Sequence, residues 1–138
     1  MKHRLAVMAL ALWWGSLSVV GGLVVPMLFA HLPTPAMAGN LAGRLFSAQT
    51  WLSLACGGLA LLFLRSERDD PGAKWSFHAI GLVALAMLAA LLVEFGVAPR
   101  ILAREQLRLW HTVGSVLYGL QWACTGWLLW HAAGRPQR

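Results

Sequence analysis

Residues Leu5–Ala30 read LAVMALALWWGSLSVVGGLVVPMLFA, a run of 26 residues without a charged side chain. Three further runs have the same character: Leu45–Leu64 and Trp75–Val93 contain no Asp, Glu, Lys or Arg, and Leu109–Trp130 has His111 as its one candidate for charge. About 20 helical residues, each rising about 1.5 Å, cross a hydrocarbon layer of about 30 Å. Each run is therefore a candidate transmembrane helix.

The composition favours the same interpretation. Of the 138 residues, 59% are hydrophobic and 12% are charged, whereas soluble domains carry about 25% charged residues. A membrane barrel would show alternating segments of about ten residues instead of long apolar runs. We therefore predict an all-α integral membrane protein, a single domain over residues 1–138. Its fold is expected to be an antiparallel four-helix bundle with spans at about 5–30, 45–64, 75–93 and 109–130.

The first run also has some features of a secretory signal peptide. Basic residues Lys2–Arg4 precede it, and Ala36–Ala38 resembles a cleavage site with small residues. Apolar segments of signal peptides are about 7–15 residues long, and the 26 residues of Leu5–Ala30 exceed that length. We therefore expect a membrane span here, with Pro26 kinking its far end.

Helix boundaries are indicated at three prolines. Thr34–Pro35 and Asp70–Pro71 each offer a capping residue followed by proline at the first helical position, and Ala98–Pro99 indicates a boundary before the fourth span. Helices that begin at Pro35 and Pro99 are about 30 residues long and exceed the membrane core. We expect helices 2 and 4 to be extended on the outer side, with amphipathic first turns.

Orientation follows from the positions of the basic residues. With the N-terminus inside, seven Lys and Arg lie on the cytoplasmic side and four on the outer side, which favours cytoplasmic termini. The formal charge of +6 lies at span ends, where Lys and Arg contact lipid phosphates. We therefore expect the lipid bilayer as a partner and no nucleic acid.

The fourth span carries polar residues at helical spacing. Steps of three and four residues place one set on a common face: Arg100, Arg104, Arg108, His111, Ser115, Tyr118, Trp122 and Thr125. Polar groups are costly against lipid, so this face is expected to point into the bundle, towards polar residues of the other spans. We define the polar seam by the residues that are expected to line it: Arg44, Gln49, Glu94, Arg104, Arg108, His111, Ser115 and Tyr118.

Two interpretations of the polar seam stay open. In the first, the arginines anchor to lipid phosphates, Glu94 pairs with one of them, and His111 donates to backbone. In the second, the arginines form an anion-attracting mouth, and His111 is a metal ligand or a proton carrier. His31 is expected at a depth comparable to His111, whereas His78 belongs at the opposite end. Cys56 and Cys124 are expected as buried thiols, with a disulfide or a soft-metal pair as alternatives.

Several short motifs resemble a known family. Trp13–Ser16, Val25–Phe29, Ala38–Gly39 and Arg44–Phe46 are similar to the bacterial branch of the transmembrane-protein-205-like family, which is defined by domain of unknown function 4149. Pro99 and Arg108–Ser115 resemble its second signature at the start of the last helix. The resemblance implies a four-helix membrane bundle in a bacterial inner membrane. Eukaryotic members of that family are associated with drug resistance and vesicular export.

A more distant similarity links the bundle to copper-resistance-D-like membrane proteins, some of which use membrane histidines for haem or copper. It implies His111 as a ligand, although a second histidine that would complete a haem site is not evident in the sequence.

Three functions are therefore open. The first is a membrane protein that handles a small solute or metal through the polar seam, as a homo-oligomer or with a partner. The second is a haem- or copper-binding protein with His111 as ligand. The third is a structural or assembly subunit of a larger membrane complex. The sequence contains no catalytic carboxylate pair, no nucleophile with a base and no phosphate loop, so we do not expect an enzyme.

Overall fold

The computed structural model describes residues 2–65 and 73–134, and the regular elements within these two ranges are all helices. Helix α1 (Lys2–Val19) continues through a π-helical turn (Val20–Val24) into α2 (Val25–His31). These three segments form the first rod. The second rod is the single helix α3 (Pro35–Arg65).

The third rod is built like the first. Helix α4 (Ala73–Leu91) continues through a π-helical turn (Leu92–Val97) into the short α5 (Ala98–Leu102). A turn follows, and α6 (Leu107–Ala133) is the fourth rod. We call the end of the molecule that carries residues 32–34 and 103–106 the short-loop end.

The predicted start of the second rod is confirmed. The hydroxyl of Thr34 accepts a hydrogen bond of 3.2 Å from the amide of Met37, and α3 begins at Pro35. A threonine cap followed by proline works because the first helical amides have no partner within the helix. The predicted cap at Asp70–Pro71 lies outside the described residues, as do Arg68, Arg135 and Arg138.

The prediction that the fourth helix begins at Pro99 is wrong. Pro99 belongs to α5, which extends the third rod, and the fourth rod begins at Leu107. In the turn between them Arg104 and Gln106 have positive φ angles of 56° and 36°, which interrupts helical geometry. The rods extended at the short-loop end are therefore the second and the third, and Arg100 and Arg104 do not lie on α6.

Both π-helical turns end two residues before a proline. Proline has no amide hydrogen, and its ring clashes with the carbonyl four residues earlier. That carbonyl belongs to Gly22 for Pro26 and to Phe95 for Pro99, and both residues lie in the π-helical turns. Widening the helix at these positions moves the carbonyl out of the way, so the distortion expected at Pro26 takes the form of a π turn.

The four rods form a closed ring. Neighbours in the chain pack against each other, and α6 also packs against α1. Inside the ring, Trp13, Leu17, Val83 and Leu128 are fully buried and belong to one hydrophobic core. Cys56 and Cys124 are buried in the same core, and both thiols are free, which excludes the disulfide alternative for this structure.

The distribution of polarity is that of a membrane protein. Large apolar side chains face outwards, such as Leu62 and Phe77, which are 66% and 71% exposed. Three rods are long and apolar enough to cross a membrane: His3–His31, Pro35–Leu64 and Phe77–Leu102. The fourth, with 27 residues, has the length but is less apolar, since it carries Gln121, Thr125 and four tryptophans.

Candidate functional site

The interior of the ring contains a layer of buried polar side chains, which we call the buried polar layer: Gln49, Thr50, Ser53, Gln121 and Thr125. On α3, the amide nitrogen of Gln49 donates to the hydroxyl of Ser16 at 2.9 Å and lies 3.4 Å from the hydroxyl of Ser53. Gln49 therefore connects the first two rods by a hydrogen bond, an arrangement that stabilises helix association in lipid.

The opposite side of the buried polar layer joins α1 to α6. The indole nitrogen of the fully buried Trp13 donates to the side-chain oxygen of Gln121 at 3.1 Å. The hydroxyl of Thr125 donates to the carbonyl of Gln121 at 2.9 Å. Each of these buried polar groups has a partner, as the low dielectric of the interior requires.

Nearer the short-loop end, an aromatic pair lies across the ring. The rings of Phe46 on α3 and Tyr118 on α6 meet edge to face, with centroids 5.3 Å apart. The hydroxyl of Tyr118 donates to the carbonyl of Leu17 at 2.8 Å, just before the first π-helical turn. The aromatic pair thus lies about one helical turn from Gln49 and Gln121, on the side of the short-loop end.

The second π-helical turn carries a carboxylate. Glu94 is partly buried between the rods, and its carboxylate accepts a hydrogen bond of 2.5 Å from the hydroxyl of Ser47 on α3. π-helical turns occur often at functional sites, and an ionisable side chain within a membrane span is a functional candidate by default.

No basic residue pairs with Glu94 among residues 2–65 and 73–134. The arginine nearest to it in the sequence, Arg100, donates to the carbonyl of Gly96 at 2.6 Å and lies 4.4 Å above the ring of Trp110. The structure therefore shows no salt bridge, within the described residues, for the expected pairing of Glu94 with an arginine, and that pairing stays a prediction. The Glu94 carboxylate has the Ser47 hydroxyl as its partner there.

The polar seam divides into two groups. Gln49, Glu94 and Tyr118 point into the ring and contact neighbouring rods. The others are exposed: Arg44, Arg104, Arg108, His111 and Ser115. The hydroxyl of Ser115 donates to the carbonyl of His111 on its own helix. Further along α6, Tyr118 is half-buried and Thr125 is buried, whereas Trp122 is 43% exposed.

The histidines do not form a metal cluster within the described residues. No group of three or more His, Cys, Asp or Glu side chains there is placed to hold a metal ion. His31 and His131 each contact a backbone carbonyl of their own helix, at 3.0 Å and 2.9 Å. His111 is exposed on α6, so a metal held by His111 would need ligands from outside this set.

The sequence prediction missed Ser47, the partner of Glu94, and Trp13, the partner of Gln121. A signal for Ser47 exists, since it follows Arg44 by three residues and precedes Thr50 by three, which places it on a polar face of the second span. For Trp13 there is no comparable signal, because an indole in an apolar run does not indicate whether its nitrogen meets a partner or lipid.

Comparison with known proteins gives one family. The model of a domain of unknown function, DUF4149, matches residues 8–109, about three quarters of the chain. The match includes Ser47, Gln49 and Glu94, and it ends before most of the Arg108–Ser115 motif and the rest of α6. No curated protein and no solved structure matches the chain.

Proposed function

Since the chain belongs to the family of the domain of unknown function DUF4149, we propose its function from its own residues: it binds a small cation at the carboxylate of Glu94 and handles it within a four-helix membrane bundle. The solute site expected in the polar seam is thereby narrowed to the Glu94–Ser47 pair. The family description adds no substrate to this proposal.

The observation that carries the proposal is the position of the Glu94 carboxylate, which lies partly buried between the rods with the Ser47 hydroxyl as its hydrogen-bond donor. A carboxylate in a membrane span is costly unless a positive charge or several hydrogen bonds compensate it. Glu94 has one bond, from Ser47, and no basic partner among the described residues. A bound cation supplies the missing charge, and carboxylate and hydroxyl oxygens are the ligands that hard cations prefer.

A route from this site into the ring would pass from one face of α3 to another. Ser47 bonds to Glu94 on the third rod, whereas Gln49, two residues later, bonds to Ser16 on the first rod. The Phe46–Tyr118 pair lies beside this path. We propose that the aromatic pair limits access to the buried polar layer, and that its tyrosine must rotate for a solute to pass.

The proposal includes an antiparallel bundle in which α6 is the fourth span. Contacts between α1 and α6 run in opposite sequence order: Trp14 lies against Gly126, Ser18 bonds to Trp122, and Gly21 lies against Tyr118. The 27 residues of α6 extend about 40 Å, which is enough for a membrane crossing.

We place the protein in the bacterial inner membrane with both termini in the cytoplasm, as the count of basic residues favours. The short-loop end then faces outwards, and the Glu94 site opens on that side. The relation to the transmembrane-protein-205-like family remains part of the proposal, because it rests on motif resemblance. A bundle of four rods around a packed core offers little room for a pathway of its own, so we propose that transport requires an oligomer.

Cation uptake by proteoliposomes tests the proposal. Purified protein is reconstituted, the vesicles are exposed to Na⁺, Rb⁺, Mg²⁺, Mn²⁺ or Zn²⁺, and the metal content of the vesicles is measured over time. We expect at least one cation to enter faster than into protein-free vesicles, and Glu94→Gln to remove that excess.

His111→Ala is the matched control, because it changes an exposed member of the polar seam outside the Glu94–Ser47 pair. Uptake by this variant should equal that of the wild type. If Glu94→Gln takes up each cation as fast as the wild type, the role of Glu94 in handling cations is refuted.

A further inference from the structure

The turn between the third and fourth rods is rich in arginine and is bordered by exposed apolar residues. Within Arg100–Arg108 there are three arginines and one acid, Glu105. Leu102 is 81% exposed, and Leu107 and Leu109 are 41% and 50% exposed. We call this surface the arginine turn, defined by Arg100, Arg104, Arg108 and the three leucines.

The geometry points to a binding site for an anionic phospholipid at the arginine turn, and we propose this ligand. Its headgroup phosphate is held by the arginines and its acyl chains lie on the leucines. The inference is independent of the cation proposed for Glu94.

The guanidinium of Arg100 is held in place before any ligand arrives. It donates to the carbonyl of Gly96 at 2.6 Å and lies 4.4 Å from the centre of the Trp110 ring. Stacking on an indole leaves further N–H groups of the guanidinium available, and this planar group matches the oxygens of a phosphate. Arg100 therefore offers the headgroup phosphate a guanidinium that is already fixed in position. Trp110 is an amphipathic side chain, and tryptophan prefers the headgroup region of a membrane.

Arg108 adds a second charge beside an open surface groove. The groove is lined by Gln106, Leu107, Arg108, Leu109 and Thr112. Polar groups and leucines share this lining, and a phospholipid has the same combination of a charged headgroup and an apolar chain. A soluble phosphate ester would leave the leucines uncovered, which favours the lipid.

Arg104 completes the set from the turn itself. Its backbone has a φ of 56°, in a region that long side chains adopt rarely, and its side chain is exposed. In the proposed orientation these arginines lie on the outer side, against the usual cytoplasmic preference of Lys and Arg. An anionic lipid in the outer leaflet compensates the positive charge of these arginines.

Native mass spectrometry of the purified full-length protein tests the site. Phosphatidylglycerol and phosphatidylcholine with identical chains are added at equal concentration, and the occupancy of each adduct is measured. We expect phosphatidylglycerol to bind preferentially, and the Arg104→Gln/Arg108→Gln double variant to lower its affinity about thirtyfold. The Arg104→Lys/Arg108→Lys variant keeps both charges and should retain most of the binding.

The Arg4→Gln/Arg44→Gln variant is the matched control, because it also removes two exposed arginines but leaves the arginine turn intact. Its affinity for phosphatidylglycerol should change less than about twofold. Equal adducts of the two lipids, or equal losses in the two glutamine variants, would overturn the proposal. Displacement of the lipid by millimolar glycerol 3-phosphate would assign the site to soluble phosphate esters and overturn the lipid as its ligand.

Discussion

At the scale of single residues, Glu94 places a carboxylate in a membrane rod, where the Ser47 hydroxyl is its hydrogen-bond donor. A charged carboxylate at the centre of a bilayer costs about 2.5–3.5 kcal/mol on insertion scales, and a side-chain hydrogen bond between membrane helices returns about 0.6–1.7 kcal/mol. Glu94 lies eight residues before the end of the third rod at Leu102, about 12 Å along the helix, so its cost lies below the value at the centre. A cation at this carboxylate offsets the part of that cost that the Ser47 bond does not return.

Replacing Ser47 by alanine tests how the carboxylate is held. Ser47→Ala removes the hydrogen bond of 2.5 Å and leaves the oxygen of Glu94 without its donor. We expect the free energy of unfolding in detergent to fall by about 1 kcal/mol. Ser115→Ala is the control, because that exposed hydroxyl bonds only to its own helix, and it should change stability by less than about 0.5 kcal/mol. Equal stability of both variants would mean that the Ser47–Glu94 bond contributes nothing.

A second prediction concerns the positive φ of Arg104. A non-glycine residue in the left-handed region stores strain of about 1 kcal/mol, and glycine adopts this region freely. Arg104→Gly should therefore raise the free energy of unfolding by about 1 kcal/mol while weakening phosphatidylglycerol binding. A glycine variant that unfolds more easily than the wild type in lipid-free detergent would show that the turn is not strained at this position.

At the scale of elements, the sequence determines the start of the second rod but leaves the two π turns ambiguous. Thr34–Pro35 predicts the start of a helix and nothing else, because a capping hydroxyl before proline satisfies the first amides of a helix. Ala98–Pro99 is compatible with two structures, since proline can occupy the first turn of a new helix or follow a π-helical turn in a continuing one. The choice depends on packing, for instance of Val97 against Gly114, which no local pattern contains.

The glycines of the first π-helical turn offer an adjacent pair of tests. A Cβ atom at Gly21 would lie 2.6 Å from a ring carbon of Tyr118, whereas one at Gly22 would meet nothing within 4 Å. Gly21→Ala should lower the free energy of unfolding by about 1–3 kcal/mol, because Tyr118 is held by its bond to Leu17 and must shift. Gly22→Ala should be neutral or slightly stabilising, and a loss of stability equal to that of Gly21→Ala would contradict the packing described.

At the scale of the whole molecule, the ring has an apolar outer surface and a hydrophobic core that contains the buried polar layer. Gln49, Ser53, Gln121 and Thr125 are buried while Leu62 and Phe77 are exposed, which is the reverse of a soluble bundle. Four apolar runs were sufficient to predict four rods, because bilayer thickness fixes the length of a span. Their pairing was not predictable, since partners such as Trp13 and Gln121 are 108 residues apart.

The proposed topology predicts which positions are accessible from outside the cell. In a variant with both cysteines replaced by alanine, single cysteines are introduced as Pro33→Cys, Glu105→Cys and Gly134→Cys, and intact spheroplasts are treated with a membrane-impermeant maleimide. Pro33→Cys and Glu105→Cys should be labelled, because both positions are in short loops at the same end. Gly134→Cys should be labelled only after lysis, and its labelling in intact cells would refute an even number of spans with cytoplasmic termini.

Cation-dependent unfolding tests the central claim most directly, because a ligand that binds only the native state raises the free energy of unfolding by RT ln(1 + [L]/Kd). The unfolding temperature of purified protein is measured in Na⁺, K⁺, Mg²⁺, Mn²⁺ or Zn²⁺ chloride against choline chloride of equal ionic strength. We predict that at least one cation raises the unfolding temperature of the wild type and of Ser115→Ala, and that Glu94→Gln loses this response. No increase above choline for any of these cations, or an equal increase in Glu94→Gln, would contradict a cation site at Glu94.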